Sequence, residues 1–479
     1  MVSMVFYILS LFALGVMLLD YVRGRTELLT LRNLFLLGLI YFQFINAPPV
    51  IRFPQADEYG IGDVGPAAQI YALWCTIFLI VFLVSYEYAP GANAIARKVP
   101  IPPSVPKYSP LWGLALAALP LAFVLRAVPV PYVGVLADFA GLAVCASAAG
   151  LAAYLLFSDW RNPVALLLSP AVFAASAAIS SIGEFSRRPL VSVAISIVWG
   201  AYYAKFRTMR PFPALVGMGG LGFAGLVAVA LFTAGGRSLE GLTQITDTSA
   251  TGAAVSDLTE TYGTARIALW LIDQKYEQDN EKIDAPFLLS IKYIVYLPVP
   301  RAIWGGKPYT VSTYAADWAN LRGVRRGRGG VTNPAGIVGN GAPEGGLVAV
   351  VLYAMVYAWI LRYGDQFIRR APWHPLVVIP IGSVGGDVFG MPRGESANFM
   401  FAFLFGSTVT LTLATLIANY LDRLGYSNPI YDPDEPYEGH DEHNEEWAYE
   451  GLANPGYEGY GREGAEDDAH GGEGHERGV

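Results

Sequence analysis

Apolar stretches of roughly 18 to 25 residues, each long enough to cross ~30 Å of hydrocarbon, recur along this chain. They fall at about 3–20, 28–46, 66–88, 110–127, 132–157, 163–181, 189–204, 213–234, 342–361, 374–391 and 397–420. Eleven such stretches predict an all-α polytopic membrane protein, with about 11 transmembrane helices. A composition of 53% hydrophobic and 15% charged residues, with a mean hydropathy of +0.39, excludes an ordinary soluble domain. No basic n-region precedes the first stretch and no A-x-A pattern follows it, so it is expected to persist as a helix rather than be removed as a signal peptide. Cys75 and Cys145 lie inside apolar stretches and read as small hydrophobes, not as a disulfide or metal pair.

The net charge of −8 combines two opposite parts. Residues 430–479 carry sixteen Asp or Glu against Arg462 and Arg477, while the rest of the chain has 30 basic and 24 acidic residues. The tail is poor in aliphatic residues and is predicted to be disordered, because it cannot bury enough apolar surface to offset the entropy of ordering. The resulting organisation is 1–234 with eight spans, 235–341 as a large polar loop, 342–421 with three spans, and 422–479 as an acidic tail.

Orientation follows from Lys and Arg in short loops, which favour the cytoplasm. Arg23 and Arg25, Arg97, Lys98 and Lys107, Arg161, Lys205, Arg207 and Arg210, and Arg369 and Arg370 all follow odd-numbered spans. The N-terminus is therefore expected outside, the acidic tail in the cytoplasm and the loop 235–341 outside, away from ATP and nucleotide sugars. Arg187, Arg188 and Arg393 share that outer face. Basic groups gathered there have two readings: they snorkel or pair with Glu184, Glu240, Glu344 and Glu395, or they hold a common anionic ligand.

The large loop contains eleven Lys or Arg. Val255, Leu258, Tyr262, Ala265, Leu269, Ile272 and Tyr276 recur at helical spacing, which predicts a helix lying along the interface or capping the bundle, with core packing against other loop elements as the alternative. Pro286–Pro300 is too short to span and suits a re-entrant or interfacial segment. Its exit, PVPRAIWGGKPY, is stiffened and bent by proline and glycine, and presents Arg301 and Lys307 beside Trp304. A guanidinium fork and an ammonium point charge together suit a lipid-linked phosphate or pyrophosphate. The Gly-rich run 327–346 then leads to a helix starting near Glu344, whose free N–H groups suit an anion. The run has no GK[ST] and is no nucleotide P-loop, and the chain shows no HExxH, CxxC or GxSxG.

With SSIGEFSRRPLVSVAISIVWGAYYAKFR (180–207), FTAGGRSLEGLT (232–243) and PVPRAIWGGKPY (298–309) in this order and spacing, the chain resembles the Wzy-type oligosaccharide repeat-unit polymerases, which make O-antigen and exopolysaccharide. The likeness covers about 180–360 and extends elsewhere only by topology. It implies a metal-independent, multi-spanning glycosyltransferase of the cytoplasmic membrane with no cofactor. Its substrate is an oligosaccharide carried on polyprenyl pyrophosphate, its surroundings are membrane lipids, and its partners are a chain-length regulator and a glycan flippase; nucleic acid has no part.

The resemblance implies Arg187 or Arg188, Arg237, Arg301 and Lys307 as the phosphate-holding set. Arg393 joins them on the same face. Cations fixed where pyrophosphate charge develops stabilise the transition state more than the ground state. An acceptor hydroxyl needs a base, for which Glu184, Glu240, Glu344, Asp387 and Glu395 face outward. The expected site thus comprises Arg237, Arg301 and Glu344 for catalysis and Arg187, Arg188, Lys307 and Arg393 for pyrophosphate, with no metal. An O-antigen ligase shares the architecture but is expected to use an outer-face histidine, and His374 is placed inside. A transporter or lipid flippase predicts broken helices and charge at mid-membrane, for which Asp138 is the candidate.

Overall fold

The computed structural model describes residues 2–52, 64–102, 104–128, 133–182, 187–234, 263–318 and 334–429. Among them, nine helices are long and apolar enough to cross a membrane: Val2–Val22, Leu31–Arg52, Gly65–Glu87, Tyr108–Ala127, Gly134–Ser158, Pro163–Ser180, Gly346–Arg370, Pro375–Arg393 and Ser396–Arg423. The chain is an all-α, multi-pass membrane protein. Two further helices, Arg187–Ala204 and Pro211–Ala234, stand at the positions of the remaining two expected spans. The first residues of the predicted acidic tail are ordered, with Arg423 ending the last helix and Ser427–Pro429 forming a strand, whereas 430–479 and residues 255–262 of the loop helix lie outside the described residues.

The spans sort by what surrounds them. Val2–Val22 is only 22% buried and turns Leu11, Phe12 and Leu19 outward, as a helix facing lipid does. Gly134–Ser158 is 78% buried and forms the central post. Small residues allow this: its Ala and Gly side let Tyr108–Ala127, Pro163–Ser180, Arg187–Ala204, Pro375–Gly382 and Ser396–Arg423 all pack against it. Its approach to Arg187–Ala204 is backbone on backbone. A Cβ at Gly200 would stand 2.1 Å from the Gly150 carbonyl oxygen, and one at Gly150 2.4 Å from Ser196 Oγ.

The span Pro375–Arg393 is interrupted. Its helix stops at Gly382, resumes over Gly385–Gly390 and tightens to a 3₁₀ turn at Met391–Arg393. Gly382 lies against the Trp199 indole and Gly386 against the Ser192 backbone, so the break is where neighbouring helices come closest. Leu31–Arg52 also departs from regular helix: Ile40–Ile45 forms a π-helical turn around the buried Gln43. The Gln43 amide donates to the Pro392 carbonyl and accepts from the Tyr71 hydroxyl, which ties the two irregular spans together.

Polar contacts collect at the two ends of the bundle. At one end, Asp365 accepts from the backbone N–H groups of Leu31 (2.7 Å) and Arg32 (3.1 Å) and from the Tyr86 hydroxyl (2.6 Å). A carboxylate from one span thereby caps the N-terminus of another. Beside it Arg32, 1% exposed, pairs with Asp20 at 2.9 Å and Glu87 at 3.5 Å. Arg207 pairs with Glu27 at 2.8 Å at the same end. A short antiparallel pair, Ser104–Pro106 with Ser427–Pro429, closes it. At the other end, Asp138 pairs with Arg126 at 2.8 Å. It stands in the first turns of the helix Gly134–Ser158.

One loop element differs from expectation in its surroundings. The helix Gly263–Ile272, continued by a π-helical turn to Glu277, is enclosed by the fold: Ala265 and every residue from Ile267 to Ile272 are buried. It packs on Gly65–Glu87 and on the short helix Gly336–Gly339. The reason lies in the run Ile-Ala-Leu-Trp-Leu-Ile, apolar all round, which gives no polar face to leave in water. The helix thus packs both against another loop element and against the bundle itself.

Candidate active site

The Pro-rich exit after the helix Leu289–Tyr296 folds into a braced loop. Pro300 turns the chain, its carbonyl accepting from Ile303 and Trp304 N–H at 3.0 Å each. The Arg301 guanidinium then donates to the carbonyls of Lys307 (2.6 Å) and Pro308 (3.0 Å). Lys307 reaches back, its ammonium donating to the carbonyls of Leu297 and Val299, both at 3.0 Å. The two cations thus close the same loop from opposite sides. Tyr309 lies under the guanidinium at 4.0 Å and Tyr293 near the ammonium at 5.2 Å, as cation–π partners.

The partners of these two cations are neutral. Carbonyls and rings orient a charge without cancelling it, so the loop keeps its positive field. Among the described residues, neither Arg301 nor Lys307 has a carboxylate within salt-bridge distance. Lys307 is buried, and this burial, with the Arg301 charge beside it, holds its ammonium below the ordinary lysine range. Arg301 is exposed. It is the solvent-facing member of the pair, while Lys307 closes the loop from within.

Arg188 is held differently. Its guanidinium donates to one Asp387 oxygen at 2.7 and 3.0 Å and stacks over the Phe399 ring at 4.2 Å. Neutralised in this way, it braces Arg187–Ala204 against the interrupted span, and Asp387 is committed to it. Arg393 is exposed, with its carbonyl accepting from Thr264. Arg187 begins its helix, but its side chain is not among those described. Arg237, Glu184, Glu240 and the arginines from Arg322 to Arg328 lie outside the described residues.

Glu344 ends a one-turn helix just before the span, which starts at Gly346 and not at 342 as expected. The carboxylate is wholly buried, accepting from Ser290 N–H (2.8 Å), Ser290 Oγ (2.6 Å) and the Tyr353 hydroxyl. It does not stand open to a ligand; it anchors the loop helix Leu289–Tyr296 to the span. Burial pushes its pKa up to about 7, against the opposing pull of those hydrogen bonds. A raised folded-state value means that the neutral acid is the better-fitting form. The stability it contributes is complete below the unfolded carboxyl range and is lost as pH rises through about 7. Between pH 6 and 8 the loss is about 1.4 kcal/mol, one pKa unit's worth. The unfolding midpoint of the detergent-solubilised protein is expected to fall across that interval, and Glu344→Gln to flatten the dependence. An unchanged slope in the variant counts against this account.

Between Leu289–Tyr296, Val311–Trp318 and the start of Ser396–Arg423 lies a small cleft of about 10 Å³, room for one water-sized group such as a hydroxyl. Ser290, Tyr293, Thr310, Asn340 and Glu395 give it polar walls. The Tyr293 ring also lies 5.2 Å from the Lys307 ammonium, so the cleft adjoins the cationic loop. The structure therefore brings together Arg301, Lys307, Glu395 and, through Ser290, Glu344; Arg188 is set apart by its own ion pair. Sequence reading passed over Ser290, Asn340 and Thr310. Small polar residues beside a Pro/Gly-rich loop were the available signal, and it is a common one. Comparison with known protein families, with curated proteins and with solved structures gives no match.

Proposed function

We propose that this chain polymerises oligosaccharide repeat units carried on polyprenyl pyrophosphate into a surface polysaccharide, at the outer face of the cytoplasmic membrane. In this reading the chain crosses eleven times, with Arg187–Ala204 and Pro211–Ala234 as the seventh and eighth spans. Support for the orientation comes from the Lys and Arg of Arg23, Arg97, Lys205 and Arg370, which belong to the end of the bundle opposite the cleft.

The observation that carries the proposal is the pair Arg301 and Lys307, fixed by neutral carbonyls at the edge of a polar cleft. A departing pyrophosphate needs positive charge that is pre-positioned and not already cancelled by a carboxylate. Exposed apolar side chains beside the loop, Val295 and Ile303, suit the level of lipid headgroups, where a polyprenyl carrier presents its phosphate. Arg237 is the further cation that the resemblance assigns to this set. His374 is buried at the end opposite the cleft, its Nε2–H donating to the Ser104 carbonyl while Nδ1 accepts from Leu376 N–H, which favours polymerase over a histidine-dependent ligase.

Deletion of the gene followed by analysis of lipid-linked glycans tests the reading. Accumulated single repeat units are the expected result. Accumulated full-length polymer on the lipid indicates a ligase, and an unchanged glycan profile removes the assignment.

A further inference from the structure

The cleft has a second chemical character besides the cations at its edge. Asn340 is 2% exposed, and its amide N–H donates to Ser290 Oγ at 3.2 Å while its Oδ1 has no partner. Ser290 spends its own proton on Glu344. Glu395 lines the same cleft from the other side. One of its oxygens accepts from Thr310 Oγ1 at 3.2 Å and the other from Asn398 Nδ2 at 2.8 Å. Each carboxylate oxygen has further lone pairs beyond the single bond it accepts. The walls thus offer acceptors, and what they select is a ligand that donates: a hydroxyl, beside an edge that selects an anion.

Glu395 is also held in an unusual backbone state. Its φ of +48° and ψ of +37° are left-handed, a region that a residue with a side chain rarely occupies. Gly394 before it, at φ +126°, and the helix that starts at Ser396 hold it there. Strain of this kind persists where surroundings impose it, and it is concentrated at functional sites.

We propose that this cleft receives the attacking hydroxyl of the acceptor sugar, with Glu395 as catalytic base and Asn340 Oδ1 as a hydroxyl-binding contact. The inference rests on the polymerase reading. The acceptor oxygen bonds the anomeric carbon of the donor chain, and the anomeric carbon–pyrophosphate oxygen bond breaks. Its electron pair leaves on the pyrophosphate beside Arg301. The hydroxyl proton passes to Glu395 and then to water.

The test uses a deletion host expressing the full chain as wild type, Glu395→Gln or Asn340→Ala. The probe is the lipid-linked single unit that accumulates in that host, assayed in isolated membranes. Glu395→Gln is expected to lower the rate about 100-fold or more, the usual range for a lost general base, while eluting as folded protein in detergent. Asn340→Ala is expected to raise KM for the single unit about ten-fold with kcat little changed. Wild-type rates from folded Glu395→Gln overturn the proposal. Where that variant does not fold, Asn340→Ala decides: an unchanged KM overturns the assignment and a raised one supports it. If the deletion host accumulates no single units, the polymerase reading fails first. If it does and Glu395→Gln restores full-length polymer, only the cleft assignment fails.

Discussion

Arg301→Ala is expected to abolish polymer while leaving the protein inserted and folded. Two losses combine. The guanidinium is the exposed cation of the loop, and removing one pre-positioned electrostatic contact costs roughly 10²–10³ in rate. It also closes the loop on the carbonyls of Lys307 and Pro308, so its removal frees the segment that presents Lys307. Arg301→Lys separates the two effects. A lysine retains the charge but lacks the planar fork that reaches both carbonyls, so partial activity with shortened chains is expected. The readout is the ladder of chain lengths on a glycan gel, alongside the amount of protein in the membrane fraction. Wild-type chain lengths from Arg301→Ala remove the loop from the mechanism.

The largest effect on stability is expected at the opposite end, from Asp365→Ala. Its carboxylate satisfies three donors at once: the N–H groups of Leu31 and Arg32 and the hydroxyl of Tyr86. Truncation leaves all three without that partner in a region closed to water. At about 1–3 kcal/mol for each orphaned group, the total exceeds 3 kcal/mol. The Arg32 guanidinium, stacked on Tyr86 at 5.4 Å, loses part of its support as well. Little folded protein should be recovered, by size-exclusion of the solubilised chain, and Asp365→Asn should fall between the two because an amide retains one acceptor. A wild-type unfolding midpoint for Asp365→Ala is the outcome that counts against the network.

Nine of the eleven expected spans match long apolar helices among the described residues, because the signal is local: about twenty apolar residues in a row specify a crossing whatever surrounds them. Pairing is another matter. Asp365 meets Leu31 and Arg32 across more than 300 positions, and nothing near either residue announces the other. The same holds for Glu344, read from sequence as an outward-facing carboxylate, whose partner Ser290 lies 54 residues away. Arg188 reads as an anion-binding arginine until Asp387, 199 residues on, is seen to neutralise it. Helical spacing in 255–276 selected one apolar face, whereas Ile267–Ile272 is buried all round. Sequence ranks Glu395 with four other carboxylates; only its left-handed backbone and its position in the cleft wall set it apart.

The backbone contact between Gly150 and Gly200 bears on how such a molecule works over a cycle. A transporter opens alternately to two compartments, and its bundles must slide or rock past one another on a lubricated seam. Here the middle helix is seated by main chain meeting main chain, with no long side chains to act as bearings. A joint of that kind locks in one register. Any change of shape in this protein is therefore expected elsewhere than at this seam.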